Sequence, residues 1–238
     1  MSKLISELSV FFPAYNEEGE IKNTVLSAKR VLLKIAKKWE IIIVNDGSKD
    51  KTGQIAESLS EKDLRIKVVN QSNKGYGGAV KTGLYDCQHD WIAFTDSDGQ
   101  FDFGEISNFI EEQKITKADL VIGYYKKRQV SKFKIYTSKL WEIAVFILFG
   151  LHVTDIDCGF KLIRKSVIDK IPPLESERGA FISSEFLIKA KKAGFKIVEI
   201  PVTHYPRTKG IGTGRNINVI IKSFLDLGKL WVKLNLLS

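Results

Sequence analysis

The chain has 238 residues, 44% of them apolar and 27% charged, a balance that suits one large folded domain and excludes a disordered or low-complexity chain. Lys and Arg number 37 against 28 Asp and Glu, a net charge of +9, so a basic surface is available to nucleic acid, an anionic membrane or a phosphorylated substrate. Cys87 and Cys158 stand far apart with no CxxC unit, which speaks against a disulfide framework or a thiolate zinc site and suits a reducing compartment.

Met1 to Ser9 carries Lys3 and Glu7 and lacks the apolar core and cleavage site of a secretory signal. The longest uncharged apolar run, Ile143 to Leu151, is well short of the roughly 20 residues that a membrane span needs. A soluble or membrane-surface protein is expected.

In chain order, Leu8, Val10, Phe11 and Phe12 open an apolar strand that stops at Pro13. A helix is expected from about Glu17 to Lys37, with Ile21, Val25, Leu32 and Ile35 near helical spacing and Asn16 placed to cap it. Glu40 to Val44 is an Ile-rich second strand ending in Asn45-Asp46-Gly47-Ser48, followed by a helix to about Ser60. Arg65 to Asn70 is a third strand, then the glycine-rich Asn73-Lys74-Gly75-Tyr76-Gly77-Gly78 and a helix to about Cys87. Trp91 to Thr95 is a fourth strand, a helix covers about Phe103 to Lys114, and Asp119 to Gly123 is a fifth strand. This alternation with short connections predicts a doubly wound, mostly parallel α/β sheet flanked by helices, with its ligand crevice at the carboxyl ends of the strands.

Beyond Gly123 the pattern changes. Lys126, Lys127, Arg128, Lys132, Lys134 and Lys139 occur with no acid between Asp119 and Glu142. Tyr136 to Leu151 reads as a helix, Asp155 to Ile163 as a turn and strand, and Ser184 to Ala193 as a helix closed by Gly194. Lys196 to Pro201 is a last strand. The tail from Asn216 to Leu237 is an amphipathic helix in which Trp231 accompanies Lys222, Lys229 and Lys233. Such a helix suits a membrane interface, or packing on its own domain or on a second subunit. Residues 1–215 are expected to form the principal domain and 216–238 this appended helix.

The chemistry concentrates at the predicted strand ends. Asp96-Ser97-Asp98-Gly99-Gln100 places two carboxylates two positions apart at the end of a buried strand. Such acids suit Mg²⁺ or Mn²⁺, which keep waters and lean on substrate phosphates; the alternative is an acidic turn capping the next helix. Pro13-Ala14-Tyr15-Asn16-Glu17-Glu18 offers a ring to stack on a base and acids to accept from base or ribose, or simply starts a helix. Asp46 is open between turn chemistry and nucleoside binding. The glycines at 75, 77 and 78 either let backbone amides approach an anion or let a helix pack closely on the sheet. Their spacing matches neither a Walker loop nor a dinucleotide fingerprint.

Taken in order, these motifs resemble the family 2 glycosyltransferases of GT-A fold, a Rossmann-like architecture, and more closely the polyprenyl-phosphate hexose synthases of the dolichol-phosphate mannose synthase group. The resemblance extends through Cys158-Gly159-Phe160-Lys161, Ser184-Glu185-Phe186-Leu187, Ala193-Gly194-Phe195 and Glu199-Ile200-Pro201. It implies a nucleotide diphosphate sugar donor, of GDP-mannose or UDP-glucose type, and a polyprenyl phosphate acceptor. Pro13, Tyr15, Glu17 and Asp46 would hold the nucleoside, with Lys74 and Gly75 in the donor-binding set. Asp96 and Asp98, with Gln100, would hold Mg²⁺ or Mn²⁺ and the diphosphate. Arg207 resembles the family's late arginine near the diphosphate, where a guanidinium fork suits phosphate oxygens. Lys134 and Ser138 would take the acceptor phosphate, making Asp98, Arg207 and Lys134 the candidate catalytic residues. The chain departs from the family pattern at Asn45, at Tyr124 and at Lys134, the last a point charge where the family has an Arg fork.

The implied reaction is a single displacement with inversion. A phosphate monoester, with its second pKa near 6, needs positioning rather than a strong base. The basic segment from Lys126 to Lys139 could supply this, or be a solvated loop. Glu185 and Asp155 are open between a base and, for Glu185, a neutralising partner for that segment. His204 is open between a third metal ligand and a surface residue. The resemblance also implies work on the cytoplasmic face of a membrane as a peripheral protein, with no nucleic acid partner and homo-oligomerisation left open. The alternatives are a transferase acting on a sugar hydroxyl of a glycan or glycolipid, a nucleotidyltransferase, and a non-catalytic nucleotide-sugar-binding scaffold.

Overall fold

A computed structural model of the chain describes residues 3–126, 132–177, 179, 181–206 and 217–236, with side chains left undescribed at 132–136 and 217–222. Seven strands form one sheet: β1 (Ile5–Ala14), β2 (Ala36–Asp46), β3 (Ile66–Gln71), β4 (Trp91–Phe94), β5 (Leu120–Tyr125), β6 (Lys161–Arg164) and β7 (Ile197–Val202). Their order is β3-β2-β1-β4-β6-β5-β7. Pairs β1–β2, β1–β4, β2–β3 and β5–β7 are parallel, whereas β6 runs antiparallel to both β4 and β5. The mostly parallel sheet expected from the alternation is therefore present, with one reversed strand.

That reversal matters for the site. Phe94 of β4 and Ile122 of β5 both pair with Lys161 at the start of β6. The turn that precedes β6 consequently lies at the same edge as the carboxyl ends of the other six strands.

Eight α-helices are described: α1 (Ile21–Ile35), α2 (Thr52–Ser60), α3 (Tyr76–Asp86), α4 (Ile106–Thr116), α5 (Lys132–Phe149), α6 (Lys165–Lys170), α7 (Phe181–Lys192) and α8 (Ile217–Leu236). Alternation along the strands divides the apolar residues between two layers. Val10, Phe12, Ile41, Ile43, Val121 and Leu162 face α1, α2 and α4. Phe11, Ile42, Val44, Phe94, Ile122 and Ile163 face α3, α6 and α7. Leu227 and Leu230 of α8 are buried in this second core, so the tail helix packs on its own domain along one side.

Three local expectations are corrected. Asn16 does not cap α1: it sits at φ 56°, its Oδ1 accepts the Lys49 N–H at 2.8 Å, and the helix starts at Ile21. The residues between are spent on contacts with the turn after β2. The second strand begins at Ala36, directly after α1, rather than at Glu40. Helix α6 was not anticipated, because six residues carry too little periodicity to read.

The sheet and α3 approach closely at Gly83, where a Cβ would lie 2.2 Å from the Phe11 ring. Phe11 is fully buried and stacked on Phe94 at 5.0 Å between centroids. Gly83→Ala gains about 1 kcal/mol of helix propensity and incurs overpacking of roughly 1–3 kcal/mol. A net loss of stability is expected, seen as a lower Tm in thermal unfolding.

Candidate active site at the carboxyl edge of the sheet

The loops after β1 and β2 are fastened together. Asn16 N–H donates to Ser48 Oγ at 3.1 Å, Glu17 N–H to Thr52 Oγ1 at 2.8 Å, and Glu18 N–H to Asp50 Oδ2 at 3.1 Å. In return Glu18 accepts the Lys51 N–H at 3.0 Å. Bonds from Thr52 and Glu18 hold the Asp50 carboxyl below its usual range against the opposing effect of burial. This reciprocal stitching fixes where Tyr15 stands, with 43% of its surface exposed at the rim. Pro13 is buried within β1, and its carbonyl accepts from Ser97 Oγ at 2.7 Å.

Asp46, at the end of β2, is 2% exposed. Its Oδ1 accepts from the Lys74 N–H at 2.8 Å and Gln71 Nε2 at 2.7 Å; its Oδ2 accepts from the Gly75 N–H at 2.9 Å. The glycine-rich loop thus does present backbone amides to an anion, and that anion is the protein's own Asp46. Gly75 takes φ 83°, a left-handed conformation that only glycine adopts freely. The next glycines serve packing. A Cβ on Gly77 would lie 2.7 Å from the Glu177 carbonyl oxygen, and the Gly78 N–H donates to that oxygen at 2.5 Å. The close approach at Gly77 is to the Glu177 backbone and at Gly78 to the Lys74 side chain, not the expected packing of helix on sheet, which falls instead at Gly83. Lys74 keeps an exposed side chain beside this loop.

Asp96 and Asp98 follow β4 directly, as expected. Tyr76, the first residue of α3, donates its hydroxyl to Asp96 Oδ1 at 3.1 Å. Burial, together with the Asp96 charge, pushes the Tyr76 phenol well up, so it remains a donor. A Cβ on Gly159 would fall 2.6 Å from Asp96 Oδ2, which explains glycine in Cys158-Gly159-Phe160-Lys161. Lys161 is fully buried and donates to the carbonyls of Ile156, at 3.3 Å, and Cys158. Burial pulls its ammonium below the ordinary lysine range, while Asp155, Asp157 and Asp96 act in the opposite sense. This buried lysine, part of the Cys158-Gly159-Phe160-Lys161 motif but given no role by sequence, lies near Asp155, Asp157 and Asp96.

Asp98 is 8% exposed and its Oδ1 accepts the Gln100 N–H at 3.1 Å. Gln100 joins this corner to the segment after β7: its Nε2 donates to the Tyr205 carbonyl at 2.9 Å, and its own carbonyl accepts the Tyr205 N–H at 2.9 Å. The clasp holds Tyr205 beside the turn that carries Asp98. Arg207 lies outside the described residues, as does the side chain of Lys134. His204 is packed among rings, with centroids 4.5 Å from Tyr125 and 5.3 Å from Phe101. Ser138 Oγ donates to Glu142 Oε1 at 3.4 Å.

Glu185 is buried on α7 and paired with Lys189 at 2.5 Å. That pairing with Lys189 and backbone bonds hold its carboxyl below the usual range although burial opposes them. It is neutralised by its own helix, and its 2% exposure leaves it badly placed to serve as a base.

The residues present suit a hard divalent cation. Asp96 and Asp98 supply only oxygens, and the space opposite Asp96 Oδ2 is kept clear by the absence of a side chain at Gly159. No group of three or more His, Cys, Asp or Glu arranged to hold a metal ion occurs among the described residues. Two carboxylates with waters and phosphate oxygens are what Mg²⁺ commonly accepts.

The family model described as glycosyl transferase family 2 matches residues 9–172. The chain is 30% identical over 220 residues to "Dolichyl-phosphate beta-glucosyltransferase" of Saccharomyces cerevisiae, covering 82% of this chain and 66% of that protein. It is 32% identical over 217 residues to the protein of the same name from Dictyostelium discoideum, covering 82% and 65%. The chain therefore spans about two thirds of the length of these relatives. Among solved structures, glucosyl-3-phosphoglycerate synthase from Mycobacterium tuberculosis with phosphoglyceric acid superposes with a TM-score of 0.69 at 18% identity, covering 96% of this chain and 79% of that one. The same enzyme with Mn²⁺, uridine diphosphate and glucosyl-3-phosphoglycerate gives 0.65 at 19% identity, covering 96% and 77%. The fold is that of the GT-A glycosyltransferases, and the chain belongs to glycosyl transferase family 2.

Proposed function

We propose that this chain is a metal-dependent, inverting hexosyltransferase that moves a sugar from a nucleoside diphosphate to a polyprenyl phosphate at a membrane surface. The observation that carries the reading is the placement of Asp96 and Asp98 at the end of β4, beside the Asp46-held loop and the Gln100–Tyr205 clasp. The names of the relatives support the acceptor class, as does "Dodecaprenyl-phosphate galacturonate synthase" of Rhizobium johnstonii, 28% identical over 221 residues. Two of these names specify a glucosyl group, and the structural neighbours were solved with uridine diphosphate, so UDP-glucose is the donor to test first.

In this reading Asp96 and Asp98 hold Mg²⁺ or Mn²⁺, which supplies charge stabilisation for the departing diphosphate. Tyr76 fixes the orientation of Asp96 by its hydroxyl bond. Gln100, through its amide, holds Tyr205, and Arg207 is the proposed diphosphate fork. Tyr15 presents a ring to the base, with Pro13 and Glu17 around it. Asp46, which accepts from Gln71, Lys74 and Gly75, shapes the loop beside the proposed nucleoside pocket. Lys134 and Ser138 are the proposed acceptor-phosphate ligands. An acceptor already ionised near neutral pH requires no proton to be removed, so the chain's task is to hold two anionic substrates in line against their repulsion.

The membrane part of the reading rests on α5 and α8. No helix among the described residues is long and apolar enough to cross a membrane. Yet α5 exposes Leu140, Ile143, Phe146 and Ile147, and α8 exposes Leu225, Val232 and Leu236. Ile147 is 73% exposed, on the helix that carries Lys134 and Ser138. Apolar residues flanked by lysines such as Lys139, Lys229 and Lys233 suit the surface of an anionic bilayer.

Two outcomes are expected. Calorimetric titration with UDP-glucose and Mn²⁺ detects metal-dependent binding that Asp98→Ala weakens by about 100-fold, with a comparable fall in transfer to polyprenyl phosphate; donor binding indifferent to metal and to this substitution defeats the proposal. Sedimentation with vesicles containing anionic lipid retains the protein, and Ile147→Asp reduces that retention about ten-fold, the effect of losing one buried aliphatic side chain. Retention unchanged by the substitution removes α5 from the membrane contact.

A further inference from the structure

Residues 172–177, between α6 and α7, form a strap along α3 that touches it at Tyr85 and at Gly78. It is anchored by an ion pair that the proposed chemistry does not use. Glu185 and Lys189 are one turn apart on α7, and each is 2% exposed. The Glu185 carboxylate accepts the backbone N–H groups of Glu175 at 2.9 Å and Ser176 at 2.8 Å. The Lys189 ammonium donates to the Pro173 carbonyl at 2.6 Å. Within the strap the Leu174 N–H donates to Tyr85 Oη at 3.1 Å, and at its far end the Glu177 carbonyl accepts the Gly78 N–H at 2.5 Å. Both Tyr85 and Gly78 belong to α3.

A buried ion pair is a poor means of adding stability, since desolvation offsets most of the attraction and apolar residues of similar volume serve as well. What this pair offers, and an apolar pair cannot, is satisfaction of the polar backbone of 173–176, which lies outside any helix or strand. The strap so fixed presses its Glu177 carbonyl against the first turn of α3, where a Cβ on Gly77 would already collide. Tyr76 opens that same turn, and its hydroxyl bonds Asp96.

We propose that Glu185 and Lys189 are positioning residues for the metal-binding carboxylate Asp96, acting through the strap at 172–177, the first turn of α3 and the Tyr76 hydroxyl. The inference rests on the reading of Asp96 as a metal ligand. A merely structural pair would influence unfolding alone; a positioning pair sets the affinity for the cation in the folded protein. Coupling of this kind is reciprocal, so the cation must in turn stabilise the strap.

The test is Mn²⁺ binding in the presence of uridine diphosphate, followed by calorimetry on the full chain. Tyr76→Phe removes the last link, and the double substitution Glu185→Leu with Lys189→Met removes both charges together, leaving no unpaired ion. Each is expected to weaken Mn²⁺ binding about ten-fold, the usual effect of losing an outer partner of a ligand. The variant combining all three changes is expected to bind no more weakly than the poorer of the two, because they interrupt one chain of contacts. Folded Glu185→Leu/Lys189→Met protein with wild-type affinity, or losses that multiply in the combined variant, overturns the inference. Hydrogen exchange on the wild-type protein gives an independent answer should the double variant not fold. Mn²⁺ with uridine diphosphate is expected to slow exchange at the amides of Gly78, Glu175 and Ser176, and unchanged exchange overturns the inference. Failure of the wild-type protein to bind Mn²⁺ at all overturns the donor-site reading itself, a result distinct from tight binding that ignores the strap.

Discussion

The carboxylate of Asp46 accepts from the Lys74 and Gly75 amides and from Gln71, and this small set of bonds determines where the start of α3 lies against the sheet. A carboxylate 2% exposed must be satisfied by donors, because burial of an unpaired charge is prohibitive. Satisfying it draws the loop after β3 across the end of β2. Gly75 then turns the chain with a positive φ, α3 begins at Tyr76, and the Tyr76 hydroxyl arrives at Asp96. The nucleoside side and the metal side of the proposed site are thereby linked through one turn of backbone.

The second constraint is the reversed strand. Were β6 parallel to its neighbours, the turn at 155–160 would fall at the opposite edge of the sheet. Running antiparallel between β4 and β5, it delivers Gly159 to Asp96 and places Lys161 beneath the acids. Lys161 is an expensive residue to bury, and burial does pull its ammonium down. Its donated bonds to the carbonyls of Ile156 and Cys158 offset part of that expense and give the turn a defined shape.

The edge of the sheet also shows how a weakly structured set of loops is made rigid without adding secondary structure. The turns at 15–18 and 48–52 exchange backbone and side-chain bonds, the Gln100 turn is clasped to Tyr205, and the 172–177 strap is tied to α7 and α3. The first two fastenings, and the strap's bonds to α3, join segments distant in sequence. Ligand-facing atoms held in this way need little reordering when charge arrives, the condition under which fixed dipoles are most effective.

Much of this was legible in the chain itself. Alternating apolar strands and periodic helices specified an α/β sheet because burial on both faces of a strand leaves a strong local pattern. The carboxylates at Asp96 and Asp98 were visible as polar residues ending a buried strand. The direction of β6, the anion held by the glycine-rich loop and the partners of Glu185 were not legible. Strand direction depends on which neighbours a short segment finds, a long-range choice that four residues do not encode locally. Asp46 and the amides at 74–75 are far apart along the chain, so only folding could make one the ligand of the other. Glu185 looked equally able to be a base or a partner for the basic segment at 126–139, and burial beside Lys189 and the strap gave it neither of these roles. Residue types and their order thus determined the fold class and the chemistry available; tertiary structure alone decided which groups are consumed in holding the site and which remain to face a substrate, because hydrogen-bond satisfaction is settled between segments that meet only when the chain folds.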